Sequence, residues 1–168
     1  KPYVLCMNTN DLKSAKFRTV SGEVGVFAAY IGSAADVVKE DSKYVTLTKT
    51  IEPVNRGDIT QSSVVRITIK PVFSDDAPSG CYELTDYIPT GMRYYYCKNN
   101  WNIGWWLNDR EGQKISFTVY RKASLSPIVY YVRATFAGSF VADSAYIKHT
   151  STAAWGMSER QQIKIYEK

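Results

Sequence analysis

The stretch Ser63-Val-Val-Arg-Ile-Thr-Ile-Lys70 alternates with a period of two: Val65, Ile67 and Ile69 fall on one side, Arg66, Thr68 and Lys70 on the other. Successive side chains of a strand point to opposite faces, so this pattern is that of a strand with one buried and one wet face. Residues 44–51 repeat it, with Val45, Leu47 and Lys49 on one face and Tyr44, Thr46, Thr48 and Thr50 on the other. Residues 81–88 set Tyr82, Leu84 and Asp86 against Cys81, Glu83 and Thr85. Residues 23–31, 114–121, 126–137 and 162–166 are further strand-like segments, rich in the β-branched and aromatic residues that fit a pleated surface.

Turn chemistry separates these segments. Glu52-Pro53, Asn55-Arg-Gly57, Asp75-Asp-Ala-Pro-Ser-Gly80, Pro89-Thr-Gly91, Asn108-Asp-Arg-Glu-Gly112 and residues 124–127 all carry it. No capped helical pattern longer than about ten residues occurs, although residues 10–18 or 33–40 allow a turn or two. Short strands with turns between them predict an all-β fold, an antiparallel β-sandwich with at most short helical turns. The small, polar run Ile31-Gly-Ser-Ala-Ala-Asp36 marks a boundary. Residues 1–41 read as one or two strands of a preceding β domain plus a linker, and residues 42–168 as a complete sandwich.

With 45% hydrophobic and 14% aromatic residues, the chain is not a disordered tail. Its net charge of +5 comes from lysines and arginines spread along the sequence, the pattern of a solvated surface and not of a nucleic-acid footprint. No apolar run approaches the ~18 residues of a membrane span, so no membrane insertion is expected. Lys1-Pro-Tyr-Val-Leu5 is too short for the apolar part of a signal peptide. The chain starts mid-pattern and without Met, as expected of a piece of something longer.

Gly80-Cys-Tyr-Glu-Leu84 comes close to the thioester signature Gly-Cys-Gly-Glu-Gln, but Leu84 stands where the glutamine must supply the acyl group. Cys81 is therefore read as a strand residue. Cys6, Cys81 and Cys97 include no Cys-x-x-Cys pair, which argues against a zinc or redox site. Two readings remain for them: one disulfide, with Cys81–Cys97 the favoured pair, or free buried thiols. His149 is the single histidine and lies in polar Lys148-His-Thr-Ser-Thr152. A histidine-activated nucleophile needs a neighbouring Ser or Cys and an orienting carboxylate, and a metal needs about three ligands. The carboxylates Asp75, Asp76, Glu83, Asp86, Asp109 and Glu111 could serve acid–base chemistry, but turn hydrogen bonding and solubility explain them better. Gly22-Glu-Val-Gly25 has the wrong spacing for a phosphate loop. The chain reads as no enzyme, with no metal and no cofactor.

Tyr94-Tyr-Tyr-Cys-Lys-Asn-Asn-Trp101 leads into Ile103-Gly-Trp-Trp-Leu107. Such aromatics pack a core and cover an edge, or form a protein interface, or make a platform for sugar rings. Trp101, Trp105, Trp106 and Tyr95 are the candidate interaction surface. Tyr87 is the candidate corner tyrosine, whose hydroxyl would tie back to the backbone.

Two blocks carry a resemblance. Ser79-Gly-Cys-Tyr-Glu-Leu-Thr-Asp-Tyr-Ile-Pro-Thr-Gly-Met92 resembles the "G-x-Y-x-V-x-D-Y-L-P-x-G" segment near the C-terminal end of bacterial alpha-2-macroglobulin-like proteins. Tyr130-Tyr-Val-Arg-Ala-Thr-Phe-Ala-Gly-Ser-Phe140, then Trp155-Gly-Met-Ser158 and Ile163-Lys-Ile165, resemble that family's closing pattern "Y-x-x-R-A-x-x-x-G-x-F … G-x-S" and its last strand. Residues 20–31 are similar to the strand that precedes the C-terminal domain. The Trp-rich segment has no counterpart in the pattern, and Val141-Ala-Asp-Ser144 replaces a proline-rich spelling. The resemblance implies an immunoglobulin/macroglobulin-like sandwich, the counterpart of the receptor-binding domain. It implies a bacterial parent, extracellular or at the cell envelope, that traps proteases. It implies as partners the other domains of the parent chain and the trapped proteases. No catalytic residue carries over. A surface adhesion or carbohydrate-binding module using the Trp-rich loop is the alternative.

Overall fold

A computed structural model of the chain describes residues 4–8, 11, 14–16, 18, 21–22, 43–98, 104–121 and 125–168. The apolar run 23–31, the break at 31–36, residues 33–40 and Trp101 lie outside the described residues. The chain divides into two compact units, Lys1–Lys39 and Glu40–Lys168. In the first, Asn8 Oδ1 accepts from Asp11 N at 2.9 Å, and Ser14 Oγ donates to Asp11 O at 3.0 Å.

The second unit holds eleven strands among the described residues. They are β1 (Val45–Pro53), β2 (Val64–Phe73), β3 (Cys81–Tyr87), β4 (Met92–Cys97), β5 (Trp105–Glu111), β6 (Lys114–Tyr120), β7 (Ile128–Ala134), β8 (Gly138–Ala142), β9 (Tyr146–His149), β10 (Trp155–Met157) and β11 (Gln161–Ile165). One sheet runs β1-β2-β7-β4, the second β10-β9-β3-β6-β5, and β11 pairs with β8. All these pairings are antiparallel. The fold is the all-β antiparallel sandwich that the alternation predicts.

Burial follows the period of two. Val45, Leu47 and Lys49 of β1 face inward, as do Val65, Ile67 and Ile69 of β2 and Tyr82, Leu84 and Asp86 of β3. Inward residues of both sheets, with Phe117, Ile128, Tyr130, Val132 and Ile147, make one apolar cluster. The stretch 108–112 departs from expectation. β5 runs on through Asn108-Asp-Arg-Glu111, and the turn shrinks to Gly112-Gln113 between paired Glu111 and Lys114. Gly112 takes φ +58° at the first turn position, the conformation a two-residue hairpin demands there.

Candidate functional site

The residues that carry the sequence blocks meet inside the sandwich. Strand alternation turns Lys49 of β1 and Asp86 of β3 toward each other from opposite sheets. Lys49 Nζ lies 2.5 Å from Asp86 Oδ1, and both side chains are 0% exposed. The other carboxylate oxygen, Oδ2, accepts from the Tyr130 hydroxyl at 2.6 Å. Oδ1 also accepts from the Tyr87 N–H at 2.8 Å, and Lys49 Nζ donates to the Asp143 carbonyl at 3.1 Å. Burial and the neighbouring carboxylate hold the Tyr130 phenol well above its ordinary pKa, so it remains a donor. A buried charge needs partners of this kind, since desolvation is otherwise prohibitive.

The other motif positions are explained by contact. A methyl group at Gly91 would collide with the Phe140 ring, so the Pro-Thr-Gly turn and the Gly-Ser-Phe strand are fitted to each other. The Gly91 carbonyl accepts from Thr135 N at 2.8 Å and Thr135 Oγ1 at 3.0 Å. At Gly156 a methyl group would run into the backbone carbonyl of Val45, which lets β10 lie directly against β1. Ser158 is buried, and its hydroxyl accepts from Ala145 N at 2.9 Å.

The corner role falls to a different tyrosine. Tyr87 is 47% exposed, and among the described residues its hydroxyl has no hydrogen-bond partner. The Tyr82 hydroxyl donates to Pro78 O at 2.8 Å, four residues upstream, with its ring fully buried. Tyr82 shares the inward face with Leu84, whereas Tyr87 falls on the outward face with Glu83 and Thr85.

Cys6, Cys81 and Cys97 are all free thiols, so the Cys81–Cys97 pairing is not made. The physical reason is placement: Cys81 opens β3 in one sheet and Cys97 ends β4 in the other. Burial raises the Cys81 pKa and pushes Cys97 up to about 11 from 9.0, so neither is an activated thiolate at neutral pH. His149 is buried; its Nδ1 accepts from Ser151 N at 3.1 Å, which leaves Nε2 to donate to Ser79 O at 3.1 Å. With its ring edge-on to Tyr82, it braces the turn before β3. Among the described residues no cluster of His, Cys, Asp and Glu is placed to hold a metal ion. No helix among them is long and apolar enough to cross a membrane.

The candidate aromatic surface is split. Trp105 is 2% exposed and packs edge-on against Phe117 in the core. Trp106, its neighbour in an extended strand, turns to the outside of the five-stranded sheet and lies 5.2 Å from Tyr120 between ring centroids. Tyr95, 54% exposed, occupies a bulge in β4 under the guanidinium of Arg133 at 4.8 Å. Beside it Tyr96 stacks on Tyr131 at 6.1 Å, on the outside of the four-stranded sheet. Tyr95 and Trp106 therefore belong to opposite outer faces. The Tyr95–Arg133 and Tyr96–Tyr131 pairs have no signature in the sequence, because the pairing of β4 with β7 creates them. A hollow of about 660 Å³ also opens on the four-stranded sheet, lined by Thr50, Thr68 and Tyr131 among others. Glu52, the carboxylate in its lining, is bound to Arg66 at 2.8 Å, which leaves no pair of convergent acids there.

Two facing antiparallel sheets around one apolar core define a β-sandwich. Solved structures of immunoglobulin-like sandwiches, macroglobulin and cohesin domains among them, share this fold. The chain is similar to native alpha-2-macroglobulin from Escherichia coli, spanning domain MG7 to the C-terminus, with TM-score 0.57 and 12% identity over 74% of this chain and 24% of that one. Salmonella alpha-2-macroglobulin reacted with methylamine matches with TM-score 0.57 and 13% identity over 79% of this chain and 10% of that one. A cohesin module from a Clostridium perfringens family 33 glycoside hydrolase matches with TM-score 0.52 and 13% identity, over 75% of this chain and all of the module. At such identities the likeness is one of fold. No family model and no curated protein matches the sequence.

Proposed function

We propose that residues 42–168 form a non-catalytic interaction module at the C-terminal end of a secreted or cell-surface bacterial protein of the alpha-2-macroglobulin-like, protease-trapping kind. Residues 1–41 would belong to the preceding β domain and its linker. The observation that carries this reading is the mutual contact of the resemblance blocks: Asp86 with Tyr130, and Gly91 with Phe140. Blocks that fit each other inside one core support a shared architecture. The partners are the other domains of the parent chain and, through the parent, trapped proteases. The docking face proposed here is the outer face of the four-stranded sheet at β4, where exposed Tyr95 and Tyr96 lie beside Arg133 and Tyr131. Tyrosine and arginine together are the composition that carries binding energy at protein interfaces. A sugar platform on Trp101, Trp105 and Trp106 is disfavoured, because a ring buried like Trp105 offers no face to a ligand.

The test is the native parent, isolated from its source with an antibody to this chain, sized, and exposed to methylamine. A parent many times longer than this chain that incorporates methylamine supports a thioester-bearing trap. A long parent without incorporation leaves a trap that relies on cleavage of its bait alone. A parent scarcely longer than this chain sinks the proposal.

A further inference from the structure

The pair Lys49–Asp86 is unusual as an ion pair. Both side chains are 0% exposed, at a separation of 2.5 Å. Among the described residues the ammonium finds two acceptors for its three protons, Asp86 Oδ1 and the Asp143 carbonyl. In a medium that disfavours two separate charges, transfer of one proton from lysine to aspartate gives a neutral amine facing a neutral carboxylic acid. Those are the reactants of amide formation, held in place by two strands from opposite sheets.

The surroundings also suit the product. An amide has one N–H, and the Asp143 carbonyl is there to accept it. The amide oxygen wants donors, and the Tyr87 N–H already lies 2.8 Å from Oδ1. The Tyr130 hydroxyl, 2.6 Å from Oδ2, is placed to pass a proton to a departing oxygen, and its raised pKa keeps that proton available at neutral pH.

We propose that Lys49 and Asp86 react to form an intramolecular isopeptide bond that staples β1 to β3 across the sandwich. The Nζ lone pair attacks Cγ, and negative charge gathers on Oδ1 opposite the Tyr87 N–H. The Cγ–Oδ2 bond then breaks. Of the three ammonium protons, two leave with Oδ2 as one water, relayed by the Tyr130 hydroxyl, which ends with its own proton restored. The third stays on the amide nitrogen. A cation and an anion become a neutral amide plus water, with no oxidant, reductant or added co-reactant. Tyr130 is the catalytic residue, since it touches a reacting oxygen; the Asp143 carbonyl and Tyr87 N–H are positioning groups. The inference is independent of the family reading above, because it rests on the geometry of four groups.

The experiment is intact-mass spectrometry of the purified 168-residue chain under denaturing conditions, followed by protease digestion and fragment sequencing. The expected result is a mass lower by one water, with a branched peptide that joins the segments around Lys49 and Asp86 through their side chains. The full mass of the unmodified chain overturns the proposal. A lost water that maps elsewhere, such as a cyclised aspartate in one linear peptide, overturns it too. The wild-type measurement needs no variant to fold. In Tyr130→Phe, a persistent fraction at full mass in folded protein is expected. Conversion as complete as in wild type would strike Tyr130 from the chemistry.

Discussion

The two long sides of this sandwich are built by opposite means. Where β1 meets β10, the sheets close on each other: Gly156 lies against the Val45 backbone, Gln161 Nε2 donates to the Lys49 carbonyl, and Lys49 reaches Asp86 inside. On the other side β4 and β5 are the last strands of their sheets. That side is finished with rings and cations: Arg110 over Tyr94 at 4.3 Å, Arg133 over Tyr95 at 4.8 Å. The bulge at Tyr95 twists the β4 edge, a device that blunts an edge against unwanted pairing. The closed side holds the buried pair Lys49–Asp86 and the tight glycine contact of β10. The aromatic side exposes large rings, and Arg133 and Tyr131 of the second block serve there to seat Tyr95 and Tyr96. The polar residues of the blocks are thus explained by folding, and the exposed rings of β4 are what folding leaves over.

The comparison breaks first if the closed side is not where stability resides. Lys49→Met leaves the Asp86 carboxylate buried without a cation, and loss of one partner of a buried pair costs about 3–5 kcal/mol. Chemical denaturation should show that loss in full, and a loss below about 1 kcal/mol would mean that Asp86 finds another partner. The double variant Lys49→Met, Asp86→Leu sharpens the point. If the two groups form only an ion pair, the apolar replacement should be nearly neutral. If they are covalently joined, the double variant should still be clearly destabilised, because the cross-link is lost whatever replaces the two side chains.

Next in size is Gly156→Ala. The obstructing atom is a backbone oxygen that cannot swing aside, so a cost of about 1–3 kcal/mol is expected, read as a lowered denaturant midpoint. Gly91→Ala meets a half-buried Phe140 ring that can give way, and should cost less. The reverse order would show that β10 is loosely held. Smaller again is Tyr82→Phe, which removes one hydrogen bond to Pro78 O and should cost about 1 kcal/mol. Tyr87→Phe, with an exposed hydroxyl, should stay within about 0.5 kcal/mol of wild type by the same measurement.

These contrasts also show what the sequence could and could not disclose. Strands of seven or more residues, β5 excepted, are legible because alternation over three periods is hard to mistake. β8, β9 and β10 span only three to five residues, less than such a pattern needs. β5 was misread because Asn108-Asp-Arg resembles turn chemistry, while an edge strand tolerates polar side chains that a central strand would not. The faces of Lys49 and Asp86 were legible too. Each sits among apolar residues in its own alternation, and two opposite charges on two buried faces must find each other. What alternation cannot tell is which strands face across the sandwich, so the pair emerged only with the fold. Tyr87 stands beside the turn, which suggests a corner role, but the alternation of β3 puts Tyr82 inside and Tyr87 outside. In Trp105-Trp106 the same rule allows only one ring outside, which is why the pair could not be one platform.

Only a small effect on stability is expected at the aromatic edge, where the largest effect on binding should lie. Tyr95 and Tyr96 are exposed and touch the protein mainly through Arg133 and Tyr131. Replacing both with alanine removes a cation–π contact and a stacked pair at exposed positions, each worth about 0.5–1 kcal/mol or less. The denaturant midpoint should therefore shift little, and the Lys49–Asp86 side should not register the change. If this edge docks the module against another domain, the same variant should lose association with the neighbouring domains of its parent, measured by calorimetry with the separately produced domain. A variant that is as stable as wild type and binds as tightly would move the interface off β4 and onto the Trp106–Tyr120 face. A variant that unfolds would show that the two sides are not separate in energy, and that the aromatic edge is part of what holds the sheets together.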